Sequence, residues 1–136
     1  MKRTGGLLLA LLMTTGLALG TAQAAKPKKV KTEAEVEWYR FVDLGIEIYG
    51  DVHSKKSKCE KGRNVTLVYN GPNGTPGTVI GTDKTDRKGD WEYVAEEGQP
   101  LPEGNYAAEV KRKRLQTGGR EIVCKGTTSP NTVLAD

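Results

Sequence analysis

The stretch Val79-Ile-Gly-Thr-Asp-Lys-Thr-Asp-Arg-Lys-Gly-Asp-Trp-Glu-Tyr-Val94 decides how the rest of the chain is read. Val79 and Ile80 at one end, and Trp91, Tyr93 and Val94 at the other, are β-branched or aromatic and suit a pleated surface. Asp83 to Asp90 hold nothing apolar. Within them, Asp86 can bond its side chain to the backbone ahead, and Gly89 can take a positive φ at no steric cost. The expectation is an antiparallel hairpin with Asp86, Gly89 and Trp91 as structural fixtures. A lone hairpin is marginal in water, so Trp91 needs further strands to cover it.

The flanking sequence supplies them. Residues 64–69 place Val65, Leu67 and Tyr69 on one face. Residues 45–52 place Ile46, Ile48, Gly50 and Val52 on one face and Glu47, Tyr49 and Asp51 on the other. Residues 32–42 carry two signals. Thr32 with Glu35 matches a helix capping box, whereas Ala34, Val36, Trp38 and Val42 alternate with Glu33, Glu35 and Glu37, and the β-branched and aromatic content favours a strand. Residues 105–115 form one long strand with Tyr106, Ala108 and Val110 inward. Residues 120–124 set Ile122 and Cys124 on one face, and residues 131–134 close the domain. Residues 70–77 and 96–104, rich in Gly and Pro, read as loops. The expected fold is all-β: seven or eight short antiparallel strands in two sheets packed face to face. A closed barrel is the alternative.

Lys2 and Arg3 precede an apolar run over residues 7–19, and Ala22-Gln23-Ala24 fits a small-x-small cleavage site. Residues 1–24 therefore read as a secretory signal peptide, cut after Ala24. An uncleaved anchor is the rival, but the run is short of the roughly 20 residues a span needs. No later stretch could cross a bilayer. Residues 25–44 read as a basic N-terminal linker (25–31) and a possible edge strand, and residues 45–136 as the sandwich domain. The formal net charge is +4, of which Lys2 and Arg3 belong to the leader, so the processed chain is only mildly basic. Cys59 and Cys124 both follow the leader. An even cysteine count in an exported chain reads as a disulfide, and two cysteines allow one intramolecular pairing. The expected location is secreted, either extracellular or associated with the cell envelope.

Across residues 50–129 the pattern runs Gly50-x-Val52, Cys59, Arg63-Asn-Val65, Gly81-Thr-Asp83, Thr85-Asp-x-x-Gly89-x-Trp91, Gly104-x-Tyr106-x-Ala108, Cys124 and Ser129. This resembles the small prealbumin-like (transthyretin-like) sandwich modules related to carboxypeptidase regulatory domains. The resemblance implies a Greek-key sandwich with one disulfide, in which the turn glycine and aromatic are structural. It implies no activity, because such modules are accessory: they pack on an enzyme, present a surface, or bind glycan or protein. Residues 25–45 lie outside it.

Catalytic chemistry finds little support in the residues. His53 is the only histidine. It neighbours Ser54, but adjacent residues of an extended chain point to opposite sides. Asp83, Asp86 and Asp90 offer the paired carboxylates of a glycosidase, yet all three share one polar turn. Asp83-x-Thr85-x-Arg87 begins like a calcium loop. It then departs, with Arg87 in the third ligand place, the glycine one position late, and Val94 where the closing Glu belongs. No catalytic residue, cofactor or metal is expected.

The basic groups carry more weight. Lys55, Lys56, Lys58, Lys61 and Arg63 flank Cys59, while Lys111, Arg112, Lys113, Arg114 and Arg120 precede Cys124. A Cys59–Cys124 bond would gather these clusters into a surface suited to anionic envelope polymers or lipid headgroups. The plainer reading is a solubilising surface whose lysines blunt sheet edges. Nucleic acid is an unlikely partner, for want of interleaved aromatics to stack bases. The expected function is a noncatalytic secreted module that binds or decorates the envelope or an extracellular partner. The alternatives are a secreted enzyme with an unrecognised site, and an inhibitor or effector acting through the loop at 70–77.

Overall fold

The computed structural model describes residues 25–41, 45–74, 77–95 and 98–135. The leader read over residues 1–24 lies outside them, as does Val42 of the N-terminal strand. Among the described residues no helix is long and apolar enough to cross a membrane. The fold is all-β, with several antiparallel sheets and one disulfide. Among the described residues there are twelve strand segments where seven or eight strands were expected, because several expected strands are broken or newly paired.

In the first sheet, β4 (Gly45–Ser54) is central. β2 (Thr32–Ala34) and β3 (Glu37–Phe41) lie along one edge of it in a single register, and β7 (Asp90–Val94) lies along the other. The strand reading of residues 32–41 therefore prevails over the capping box. Between β2 and β3 the chain pinches onto Gly50. A Cβ there would stand 1.9 Å from the Glu35 carbonyl oxygen, so only glycine admits the crossing.

The second sheet runs β6 (Thr78–Lys84), β5 (Asn64–Tyr69), β8 (Gly104–Val110), with β11 (Thr127–Thr128) and β12 (Thr132–Leu134) both paired to the far edge of β8. One core fills the space between the two sheets. Ala34, Ile48, Val52 and Trp91 come from the first sheet, and Val65, Leu67, Tyr106, Ala108, Val110 and Leu134 from the second. These are the inward faces that period-two alternation gave.

The stretch at 79–94 is not a hairpin. β6 pairs with β5, and β7 pairs with β4, so the chain turns a corner from one sheet to the other. Two glycines make room for the rings of β7. Gly50 lies under the Trp91 indole, and Gly81 lies under the Tyr93 ring, where a Cβ would sit 2.5 Å from the ring edge. The corner itself behaves as the sequence suggests. Asp86 Oδ1 accepts from the backbone N–H groups of Lys88 (2.7 Å), Gly89 (3.0 Å) and Asp90 (3.0 Å). Gly89 has φ +98°, and Trp91 is buried.

Two further expectations change. The long strand at 105–115 divides into β8 and β9 (Lys113–Thr117), and β9 forms a hairpin with β10 (Arg120–Cys124) apart from the second sheet. Within the supposed basic linker, Lys28–Val30 forms β1, which pairs in parallel with β10 and buries Val30. This three-stranded ribbon carries a second, smaller cluster of Val30, Cys59, Ile122 and Cys124, with Leu115 packed against it.

Candidate functional site

The disulfide end is built around Arg63. Cys59 ends a short 3-10 turn, Ser57–Cys59, and bonds Cys124 with a Cα–Cα distance of 5.4 Å. Beside this bond Arg63 is fully buried. That corrects its reading as a surface cation. Its guanidinium spends all five N–H donors inside the protein. Nε donates to the Lys111 carbonyl (3.3 Å), Nη1 to Cys59 O (2.6 Å) and Thr32 Oγ1 (3.1 Å), and Nη2 to Lys111 O and Lys125 O (2.8 Å each). None of these acceptors is a carboxylate, so the charge rests on carbonyl and hydroxyl dipoles. Burial pulls the guanidinium pKa below its ordinary value. The capture of Lys111 O, together with the bond from Lys111 N–H to Asn64 O, marks where β8 stops.

The other predicted cations divide. Lys55, Lys56, Lys58, Lys61, Lys111, Arg112 and Arg120 are exposed. Lys113 is half-buried and donates to the Lys61 carbonyl at 2.9 Å. Burial first, then the neighbouring charges of Arg63, Lys61 and Lys84, lower its pKa. Arg114 forms an ion pair with Glu121 at 2.7 Å and is committed to the β9–β10 hairpin.

The acidic residues gather elsewhere, on the outer face of the first sheet. The register sets Asp90 opposite Asp51, and Glu37 and Glu92 on either side of Tyr49. Glu35 N–H donates to Asp51 O, which places Glu35 across from Asp51 on the remaining edge. With Glu47, Asp83 and Asp86 these residues line an open cleft of about 680 Å³, in which Lys84 is the only cation among the described residues. Some of the carboxylates have structural work. Asp86 holds the corner, Asp83 Oδ2 accepts from Glu92 N–H (2.9 Å), and Glu37 Oε2 accepts from the Tyr49 hydroxyl (3.0 Å). Thr85, the second oxygen of the calcium-like pattern, is buried and donates to the Glu60 carbonyl (2.6 Å) while accepting from Arg63 N–H. The calcium-loop pattern is thus consumed by the fold.

His53 and Ser54 do not form a dyad. Ser54 Oγ donates to the Lys31 carbonyl (3.0 Å), while His53 Nε2 lies 3.0 Å from Asp51 Oδ2. Sequence reasoning missed what this second contact joins. Glu35, Asp51 and His53 each place one ligand atom within 4.8 Å of the others. The signal was present as period-two carboxylates in three separate stretches, but their adjacency depends on which strands pair.

The chain matches no protein-family model, no curated protein and no solved structure. The prealbumin-like resemblance therefore stands on the residues between Gly50 and Ser129 alone.

Proposed function

We propose that this chain is an exported, noncatalytic module with a prealbumin-like Greek-key sandwich. Its cations at the disulfide end attach it to anionic polymers or lipid headgroups of the cell envelope. The observation that carries this reading is the convergence at Arg63. The 3-10 turn, the connection from β8 to β9 and the end of β10 are tied there, and Lys61 and Lys84 gather beside Lys113, whose pKa is lowered first by burial and then by the charges of Arg63, Lys61 and Lys84. Exposed Lys55, Lys56, Lys58, Lys111 and Arg112 lie on the same tied segments. The Cys59–Cys124 bond supports export, since disulfides persist in oxidising compartments. A binding role agrees with the engagement of Ser54, Asp83 and Asp86 in backbone hydrogen bonds.

Single exposed ion pairs contribute only about 0–1 kcal/mol, so the attachment rests on several acting together and weakens with salt. Sedimentation with purified envelopes tests it. Raising salt from 0.1 M to 1 M shortens the Debye length from ~10 Å to ~3 Å and is expected to release the wild type. The variant Lys56→Gln/Lys58→Gln/Lys111→Gln/Arg112→Gln is expected to sediment less at low salt. Its stability should stay within about 0.5 kcal/mol per site. Arg63 and Arg114 are left intact because one is buried and the other is paired. Equal sedimentation of wild type and variant would reduce the basic surface to a solubility device.

A further inference from the structure

We propose that Glu35, Asp51 and His53 form a binding site for a divalent transition-metal ion of the zinc class, on the outer face of the first sheet. The site is distinct from the basic end and does not depend on its function. Asp51 and His53 stand two apart on β4 and so project to the same side. Glu35 is brought across from Asp51 by the pinch over Gly50, whose missing Cβ lets the two backbones approach. The three ligand atoms lie within 4.8 Å of one another.

Three observations favour a cation here over a plain acidic surface. First, the donor set is mixed. An imidazole nitrogen and two carboxylates suit zinc, whereas calcium and magnesium take oxygen ligands. Second, the spacing is close to that of a metal centre. Tetrahedral ligands at zinc's usual bond lengths stand about 3.3 Å apart, and His53 Nε2 is already 3.0 Å from Asp51 Oδ2. Third, the other oxygen of the same carboxylate, Asp51 Oδ1, is shielded from solvent and has no hydrogen-bond partner among the described residues. A buried anionic oxygen without a donor is destabilising, and a bound cation relieves it. Asp90, directly opposite Asp51 on β7, adds like-charge repulsion that a cation would also relieve. Three protein ligands leave a fourth position for water or a donor from a partner.

The test is calorimetric titration of the tag-free full chain with zinc chloride, with calcium chloride in a parallel arm. We expect one zinc ion per chain, with affinity lowered roughly tenfold or more by His53→Ala and by Asp51→Asn. Glu92→Gln, in the same acidic face but outside the triad, should change affinity less than about twofold; melting curves check that each variant is folded. Because His53 is the only histidine, its ring resonances in an NMR titration report on the site directly and should shift with zinc. The proposal is overturned if zinc does not bind, if His53→Ala binds it as well as the wild type, if Glu92→Gln loses as much as the triad variants, or if calcium binds as tightly as zinc.

Discussion

The two hydrophobic clusters of this protein are closed by opposite means. Between the main sheets, Ile48, Leu67, Trp91, Tyr106 and their neighbours meet by apolar contact, and glycines at 50 and 81 are hollowed out to admit two rings. At the ribbon, Val30, Ile122 and the two cysteines are too few to seal that end by area. A covalent bond and one buried arginine do so instead. Fully burying a larger apolar side chain contributes about 1.5–3 kcal/mol. A disulfide closing a loop of this length contributes roughly 4 kcal/mol on the chain-entropy model. The contrast teaches that burial alone does not say what stabilises a region. Arg63 is as hidden as Tyr106, but its side chain holds strands together by five hydrogen bonds where Tyr106 does so mainly by surface.

The largest expected effect breaks the apolar end. Trp91→Ala removes the indole between β4 and the second sheet and should destabilise by ~3–5 kcal/mol in urea unfolding. A variant that unfolds with the wild type would mean the two-sheet core does not depend on this ring.

Next comes the polar end. Arg63→Met keeps volume but strips the donors from Cys59 O, Lys111 O and Lys125 O, and should cost about 3 kcal/mol. Because Nη1 holds the Cys59 carbonyl, its loss should not add simply to loss of the disulfide. A double-mutant cycle with Cys59→Ala/Cys124→Ala should give a coupling of about 0.5–3 kcal/mol. Simple additivity would show that bond and guanidinium act separately, and the comparison would need three regions in place of two.

A smaller effect is expected at the corner that joins the two sheets. Gly89→Ala forces a Cβ into positive φ and to within 2.5 Å of Val52 O, and should cost about 2 kcal/mol. Unchanged melting would mean that the corner relaxes freely.

These positions also mark the limits of the sequence. The inward faces of most strands, the disulfide pair, and the roles of Asp86, Gly89 and Trp91 were legible because alternation, cysteine parity and turn chemistry are local or nearly so. Partner choice was not. Whether β7 pairs with β6 or β4 is settled by tertiary packing, which no local pattern encodes. Arg63 looked like one more surface cation, since nothing near it in sequence foretells carbonyls converging from Cys59, Lys111 and Lys125. The acidic face was half visible: Glu33, Glu35 and Glu37 alternate, as do Glu47 and Asp51, but only the register joins them.

The smallest effect is nil at neutral pH and appears in alkali. Burial, with lesser contributions from Tyr69 and Tyr93, pushes the Tyr106 phenol up to about 12. Its hydroxyl donates to the Pro102 carbonyl at 2.6 Å. A folded pKa above the ordinary value of 10 means that the stabilisation is whole below about pH 10 and is lost as pH rises through about 12. Spectroscopic titration should find one of the five tyrosines ionising last, together with loss of the fold. If all five ionise near the ordinary value while the protein stays folded, the apolar end is wetter than its packing implies.

The parallel pairing of β1 with β10 has a consequence in time. Lys28 is made 94 residues before its partner Ile122 (122 − 28). At ordinary synthesis rates of about 5–20 residues per second, the N-terminal strand waits several seconds for its neighbour. Until then Arg63 lacks the Lys125 carbonyl, and Cys59 has no thiol to meet. The sheets around Trp91 have most of their strands before that point. The nascent chain therefore closes like a drawstring bag, its mouth pulled shut only when β10 arrives, and loss of β10 would leave β1 as an open sheet edge.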